Sequence, residues 1–297
     1  MVFINTISDN VKFINNTAYY EIITATPYSC GGAIYYYKSS YNTISNNVTF
    51  KGNDAKDRPY SFYQGYGGAI YYDLSNYNSI NNVLFDSNSV NCEGGAIYYR
   101  ESKENQIINA DFINNIAEYS RGGAIGYEGD NLKCDIINST FKYNNASSGA
   151  AVAYFGNNTA SNIINSTFMY NCAFAEGSAI YVEGQSPKLT NCTLLENKAR
   201  VTGLSRSLNS NCTELQIRLS GGNSVINAIS SNSPVTLNNV TYWGANGVTI
   251  SPASDVVFQC NSNEAGQNVS LVVRKDVEII LNLTDVTDDD GNIIISL

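Results

Sequence analysis

Any chemistry in this 297-residue chain has to proceed without histidine. That rules out nucleophile–imidazole–carboxylate arrangements and leaves carboxylates, tyrosines and seven cysteines. Carboxylates do acid–base work in pairs, as in glycoside hydrolysis, or beside a basic group. The acids Asp73, Glu93, Asp111, Glu128, Asp135, Glu176 and Glu183 instead scatter, and no two stand in neighbouring columns with a basic partner. The cysteines contain no C-x-x-C pair. Without His, zinc would need four clustered Cys, which the spacing does not offer. Their odd number argues against a closed disulfide framework. Cys30, Cys92, Cys134, Cys172, Cys192, Cys212 and Cys260 are therefore expected as small buried or half-buried side chains. Asp288-Asp289-Asp290-Gly291-Asn292 clusters oxygens but lacks the spaced frame and distal Glu of a calcium loop, so it reads as a solvated hairpin turn. The sequence thus predicts no catalytic residue, no metal and no cofactor.

Charge narrows the partners. With 17 Lys and Arg against 26 Asp and Glu, the net charge of −9 repels phosphate backbones, so nucleic acid is not an expected partner. No apolar run approaches the length of a membrane span, and no membrane insertion is expected. The first residues lack the basic and apolar regions of a signal peptide. Residues 5–13 match residues 42–50 almost one for one, so the chain starts inside a repeat and reads as a fragment of a longer protein without its signal and anchor. Asn-x-Ser/Thr sequons occur at Asn145, Asn157, Asn211 and Asn282, with Asn157 the exposed acceptor if the chain is secreted. Those in strand frames, Asn138 and Asn165, are expected to be blocked.

What positions these residues is a repeat. The frame Asn-x-x-Phe-x-x-Asn recurs as Asn10/Phe13/Asn16, Asn47/Phe50/Asn53, Asn82/Phe85/Asn88, Asn109/Phe112/Asn115, Asn138/Phe141/Asn144 and Asn165/Phe168/Asn171, then as Asn191/Leu194/Asn197. A Gly-Gly-Ala-Ile marker alternates with it at Gly31, Gly67, Gly94 and Gly122, with weaker copies at Gly149 and Gly177. From Gly67 the marker returns after 27, 28, 27 and 28 residues. Such self-similarity decides architecture ahead of local propensity. Each unit holds two short segments rich in β-branched and aromatic residues, bounded by Gly, Asn and Ser. The period lacks a helical rhythm and is too short for a propeller blade. It predicts an all-β fold, a right-handed parallel β-helix of about 27-residue coils, stacked ~4.8 Å apart into a rod of roughly 30–35 Å.

Alternation of strand side chains then assigns columns. Phe13, Phe50, Phe85, Phe112, Phe141, Phe168 and Leu194 point inward, as does the Ile34 to Ile180 column, and Tyr36, Tyr72, Tyr99, Tyr127, Tyr154 and Val182 share that parity. Tyr35, Tyr71, Tyr98 and Tyr181 point outward. Arg100 falls between Asp73 and Glu128, and Glu93 beside Arg121, the opposite-charge neighbours that a correct register should give. Both Asn columns are expected to form amide ladders along the axis. Two coils carry about eight extra residues at the same corner, residues 17–30 and 54–66. Their aromatics make Tyr19, Tyr20, Tyr28, Arg58, Tyr60, Phe62 and Tyr63 binding candidates beside Tyr35, Tyr71 and Tyr98.

After Asn197 the frame is lost, and residues up to 253 read as an atypical capping region whose Trp243 covers the end of the core. Residues 254–297 read as the first strands of an Ig-like sandwich, too short to complete one.

Gly-Gly-Ala-Ile alternating with Phe-x-x-Asn resembles the polymorphic outer-membrane protein repeat of chlamydial autotransporters. With the segment Asn239-Val240-Thr241-Tyr242-Trp243-Gly244-Ala245-Asn246-Gly247 and the following Asn263 to Val269, the chain is similar to adhesin-like surface proteins of methanogenic archaea. The resemblance implies an extracellular, cell-surface or cell-wall adhesion module that binds a protein or glycan of a host or neighbouring cell. The alternatives are a polysaccharide-degrading β-helix enzyme, since this fold also carries lyases and glycoside hydrolases, and a ligand-free structural spacer.

Overall fold

In a computed structural model, residues 5–18, 28–55, 64–184, 187–195 and 197–199 are described, with the backbone alone at 28, 64, 176, 184, 195, 198 and 199, together with the backbone of the later strands between Ser210 and Ser296. No helix occurs among them. Each repeat is one coil of a parallel β-helix, and its strands pair in parallel with the same strands of the coils before and after. Phe13 pairs with Phe50, Phe50 with Phe85, Phe85 with Phe112, Phe112 with Phe141, and Phe141 with Phe168, so the repeat frame in the sequence is also the hydrogen-bond register.

Three sheets run the length of the stack. The Phe sheet takes two short segments from each coil, such as Gln106–Ile108 and Asp111–Ile113. They are separated by the first Asn of the frame. Asn10, Asn47, Asn82, Asn109, Asn138, Asn165 and Asn191 all take left-handed φ values between 50° and 67°, a conformation that Asn tolerates better than bulkier residues. A short sheet follows, from Asp54–Ala55 to Lys198–Ala199. A Tyr sheet of seven strands closes the coil, from Ile34–Tyr37 to Ile229–Ser231.

The core is a set of one-residue columns. The Phe rings stack at 4.7–5.0 Å within 5° of parallel. On the facing sheet Tyr36, Tyr72, Tyr99, Tyr127 and Tyr154 stack at 4.8–5.0 Å. The isoleucine columns fill the space between, and all of these belong to a single buried cluster. No coil could bury this surface alone; stacking buries it.

The two Asn columns behave differently. The second, at the Phe-x-x-Asn position, is a buried ladder. Asn53, Asn88, Asn115, Asn144 and Asn171 each donate Nδ2–H to the next Oδ1 at 2.8–3.0 Å. Each also donates its second amide hydrogen to the Phe carbonyl of the preceding coil. The first column is exposed. Its amide contacts are intermittent, at Asn82 to Asn47 and Asn191 to Asn165, and its regular feature is backbone conformation. A further buried ladder, unforeseen in the sequence, runs through Asn42, Asn78 and Asn105 at the third corner, with 2.7 and 2.8 Å bonds. The Ser-x-x-Asn spacing in Ser39/Asn42, Ser75/Asn78 and Ser102/Asn105 was its signal.

The parallel register also runs one coil beyond the frame read in the sequence. Ile180 pairs with Ile229, Leu189 with Leu237 and Leu194 with Tyr242, which places Thr236–Asn238 and Thr241–Gly244 on the Phe sheet. Asn239-Val240-Thr241-Tyr242 repeats Asn191-Cys192-Thr193-Leu194, but the second Asn is missing, and that hid it. The Trp243 side chain lies outside the described residues. Further on, Asn268–Lys275 pairs antiparallel with Glu278–Val286, and Asp255–Gln259 antiparallel with Asn292–Ser296. The strands on either side of Asp290-Gly291 therefore pair with different partners, and the turn itself lies outside the described residues.

Candidate binding surface

The Gly-Gly marker builds the candidate surface. Gly94 takes a φ of +71°, and a side chain there would run into the carbonyl of Ile97. This left-handed turn swings the residues before each marker back over the outer face of the Tyr sheet. They form straps there, Tyr28–Cys30 paired with Gln64–Tyr66, followed by residues 91–93 and by the end of Ile116–Arg121, whose first residues belong to the short sheet.

The straps overturn part of the expected site. Tyr71 and Tyr98 do point outward, but both are buried, in a second small core with Ala153 and Phe155, flanked by Cys30, Tyr66 and Tyr181. The Tyr66 ring stacks on Tyr98 at 4.8 Å and lies 5.9 Å from Tyr71. Alternation along a strand assigns a face; it says nothing of what the preceding chain lays on that face. Tyr71 and Tyr98 are thus packing residues. Tyr35, one coil nearer the N-terminus, remains 48% exposed and donates its hydroxyl to Asp73 at 3.2 Å. Burial and the Asp73 charge push its phenol up to about 12. Tyr19, Tyr20, Arg58, Tyr60, Phe62 and Tyr63 lie outside the described residues, as does the Tyr28 side chain.

Other exposed rings join Tyr35. Tyr37 is exposed, with the Lys38 ammonium 4.9 Å from its centroid. Tyr41 and Tyr77 stack at 4.9 Å on the adjoining corner. A second pair, Tyr143 and Tyr170, stacks at 5.2 Å beneath Lys142. All four stacked tyrosines hold left-handed φ values of 56–62°, which costs a residue with a Cβ about 1–2 kcal/mol. The Tyr143/Tyr170 column carries Gly52, Ser87 and Asn114 in other coils, so the backbone does not call for tyrosine there. The sequence signal was available: a Tyr one residue before the ladder Asn, or one before the Ser-x-x-Asn asparagine, sits at a corner and faces water.

The charge columns check the register and depart from it in detail. Arg100 forms a two-pronged pair with Asp73 at 2.9 and 2.7 Å, and Asp73 is buried although it stands on the outer face. Glu128 accepts instead from the Tyr98 hydroxyl. Arg121 does not take Glu93 as its ion-pair partner: it reaches two coils to Glu183 at 3.0 Å, across the rings of Phe155 and Tyr181. Glu93 accepts from Ser120 at 3.2 Å and lies beside Tyr98 and Glu128. The structure therefore brings two carboxylates together where the sequence placed them in separate columns.

Cys134 and Cys192 are buried, and burial is the main cause that pushes their thiols up, to about 12 and about 11. In the native chain at pH 8 both should resist iodoacetamide while Cys172, half-buried, reacts; peptide mapping after alkylation checks this, and rapid labelling of Cys134 would contradict the packing.

A family model of the Chlamydia polymorphic membrane protein repeat matches residues 10–37, 43–73 and 82–100. These matches fall in the first coils and include Tyr35, Tyr37 and the Asp73–Arg100 pair. No curated protein and no solved structure matches the chain. No described helix is long and apolar enough to cross a membrane.

Proposed function

We propose that the chain is a non-enzymatic cell-surface adhesion module, displayed outside the cell, that binds a protein or glycan of a neighbouring surface through exposed tyrosines along its coils. The observation that carries this reading is the presence of polymorphic membrane protein repeats, which are typical of surface adhesin-like proteins. The exposed rings support it. Tyr35, Tyr37, Tyr41 and Tyr77 offer rigid amphipathic contact area at low entropy cost, and Tyr41 and Tyr77 do so from strained backbone positions. Glu128 accepts from the buried Tyr98 hydroxyl and Glu93 from Ser120, so both carboxylates are engaged in packing contacts. An Ig-like stalk after the β-helix belongs to the same reading, as a spacer that carries the coils away from the cell.

The test is a glycan and surface-protein binding array with the purified chain and a Tyr37→Ser/Tyr41→Ser/Tyr77→Ser variant. Loss of central aromatic contacts should weaken binding at least about tenfold. Binding that survives in the variant but falls in Tyr60→Ala/Tyr63→Ala would move the site to the inserted segments. A folded chain that binds nothing on the array would overturn the adhesion reading in favour of a ligand-free spacer.

A further inference from the structure

Asn138 and Asn165 lie in strand frames, where their Asn-x-Ser/Thr sequons are expected to be blocked, but the structure leaves both exposed. Seven such sequons lie wholly among the described residues. In all seven the Asn is exposed and the Ser or Thr two places on is not buried. None of the buried asparagines begins a sequon. Four of the seven, at Asn47, Asn138, Asn165 and Asn191, fall in one column, the exposed first Asn of the repeat frame.

Parity puts an Asn and the residue two places on upon one face, and burial decides which face that is. In Asn138-Ser139-Thr140 the middle residue is buried, its hydroxyl bonded to the Ile137 carbonyl at 2.9 Å, so Asn138 and Thr140 look out. Val48, Ser166 and Cys192 are buried in the same way inside the other three sequons. The four asparagines stand at the kink of the Phe sheet with φ values of 50–62°, and their carboxamides are exposed there. A carboxamide and a hydroxyl two residues apart on one exposed face are the pair of groups that an N-glycosylating transferase reads.

We propose that this column is an N-glycan acceptor face that carries oligosaccharide at Asn47, Asn138 and Asn191. The co-substrate is a lipid-linked oligosaccharide. The Asn Nδ2 attacks the anomeric carbon of its first sugar, and the bond from that carbon to the phosphate oxygen breaks. The lipid phosphate leaves with the electron pair, and the amide gives up one hydrogen as a proton. Asn165 stays bare because of its neighbours. Thr140, Thr167 and Thr193 are in register, so Asn138, Asn165 and Asn191 stand one rung apart, ~4.8 Å, which is less than the width of a hexose with its hydroxyls. Asn47 has no such neighbour, since Asn82 in the next coil lacks the hydroxyl residue. The sugars would lie on the Phe sheet, a different sheet from that of Tyr35 and Tyr37. The proposal rests on the extracellular placement in the adhesion reading and not on its binding site.

The test secretes the whole chain from a yeast host behind a leader peptide and isolates the folded fraction. Enzymatic removal of the sugar in heavy-oxygen water then converts each occupied Asn to a labelled Asp, which peptide mapping locates. Label is expected at Asn47, Asn138 and Asn191, with little at Asn165. Asn138→Gln/Asn191→Gln should move sugar onto Asn165. Thr140→Val should lose the Asn138 sugar without lowering the melting temperature, since Thr140 stands on the outer face. Absence of label from Asn47, Asn138 and Asn191 in the folded fraction overturns the proposal, and so does full label at Asn165 beside full label at both neighbours. The leader supplies secretion, and the binding array can be run on chain from a host without such a transferase, so failure of this assignment and failure of the adhesion reading are told apart.

Discussion

Gly95→Ala should unfold the chain at a markedly lower urea concentration and lower its melting temperature by roughly 10 °C. Gly95 is the second glycine of its marker, and its φ is not left-handed, so the argument is one of space. A methyl group there would collide with the carbonyl of Gly123 and lie 2.7 Å from the backbone N and C of Ile116. Both obstacles are main chain. The first belongs to the next coil and the second to the short sheet across the turn, so relief requires the spacing between coils to change. Overpacking against a close-packed interior costs about 1–3 kcal/mol when side chains can move, and more when they cannot; about 4 kcal/mol is expected here. The control is Gly52→Ala. Gly52 has a φ of +63°, but a methyl there meets only the Asn15 side chain, which can turn away. It should cost about 1–2 kcal/mol, the left-handed penalty alone. If the two variants lose equal stability, close approach between coils is not what Gly95 provides.

Asn115→Ala should be comparably damaging, and far more so than Asn109→Ala six residues away. The Asn115 amide donates to Asn144 Oδ1 and to the Phe85 carbonyl, both at 3.0 Å, and its oxygen accepts from the backbone and side-chain amides of Asn88. The residue is wholly buried. Truncation strands the Asn88 donors and the Phe85 carbonyl away from water, at about 1–3 kcal/mol for each stranded group. Some relaxation is available, so a total near 4–5 kcal/mol is expected. Asn109, at the exposed kink, makes a single 3.2 Å side-chain bond to Asn81, and its replacement forfeits mainly the ease with which Asn holds a φ of 51°. About 1 kcal/mol should be lost there. Chemical denaturation of both variants under one set of conditions decides the matter. Equal losses would mean that the two Asn columns do the same work.

The contrast between these columns shows where the sequence is readable. Asn109 and Asn115 occupy equivalent places in the frame, and both read as amide ladders. The Phe register, the inward isoleucines, the inner tyrosines and the glycine corner were legible for one reason. Parallel stacking at a fixed period turns a one-dimensional repeat into columns, so a position in the frame is also a position in space. Composition likewise excluded histidine chemistry.

What lay beyond the repeat was decided by tertiary structure. Tyr71 and Tyr98 share the outward parity of Tyr35, yet they are buried and it is not, because the left-handed glycine lays a strap of irregular chain over the coils that follow. Ladder burial in Asn115 and exposure in Asn109 depend on which side of a corner each amide faces, and parity does not fix direction at a corner. Glu93 and Glu128 come from different columns, and only the folding back of residues 91–93 brings their charges within influence of each other. Sequence alone settled the axis, the rise and the core of this protein, because those follow from identical units in register. The outer surface was settled only when the non-repeating segments between units had taken their places against the sheet.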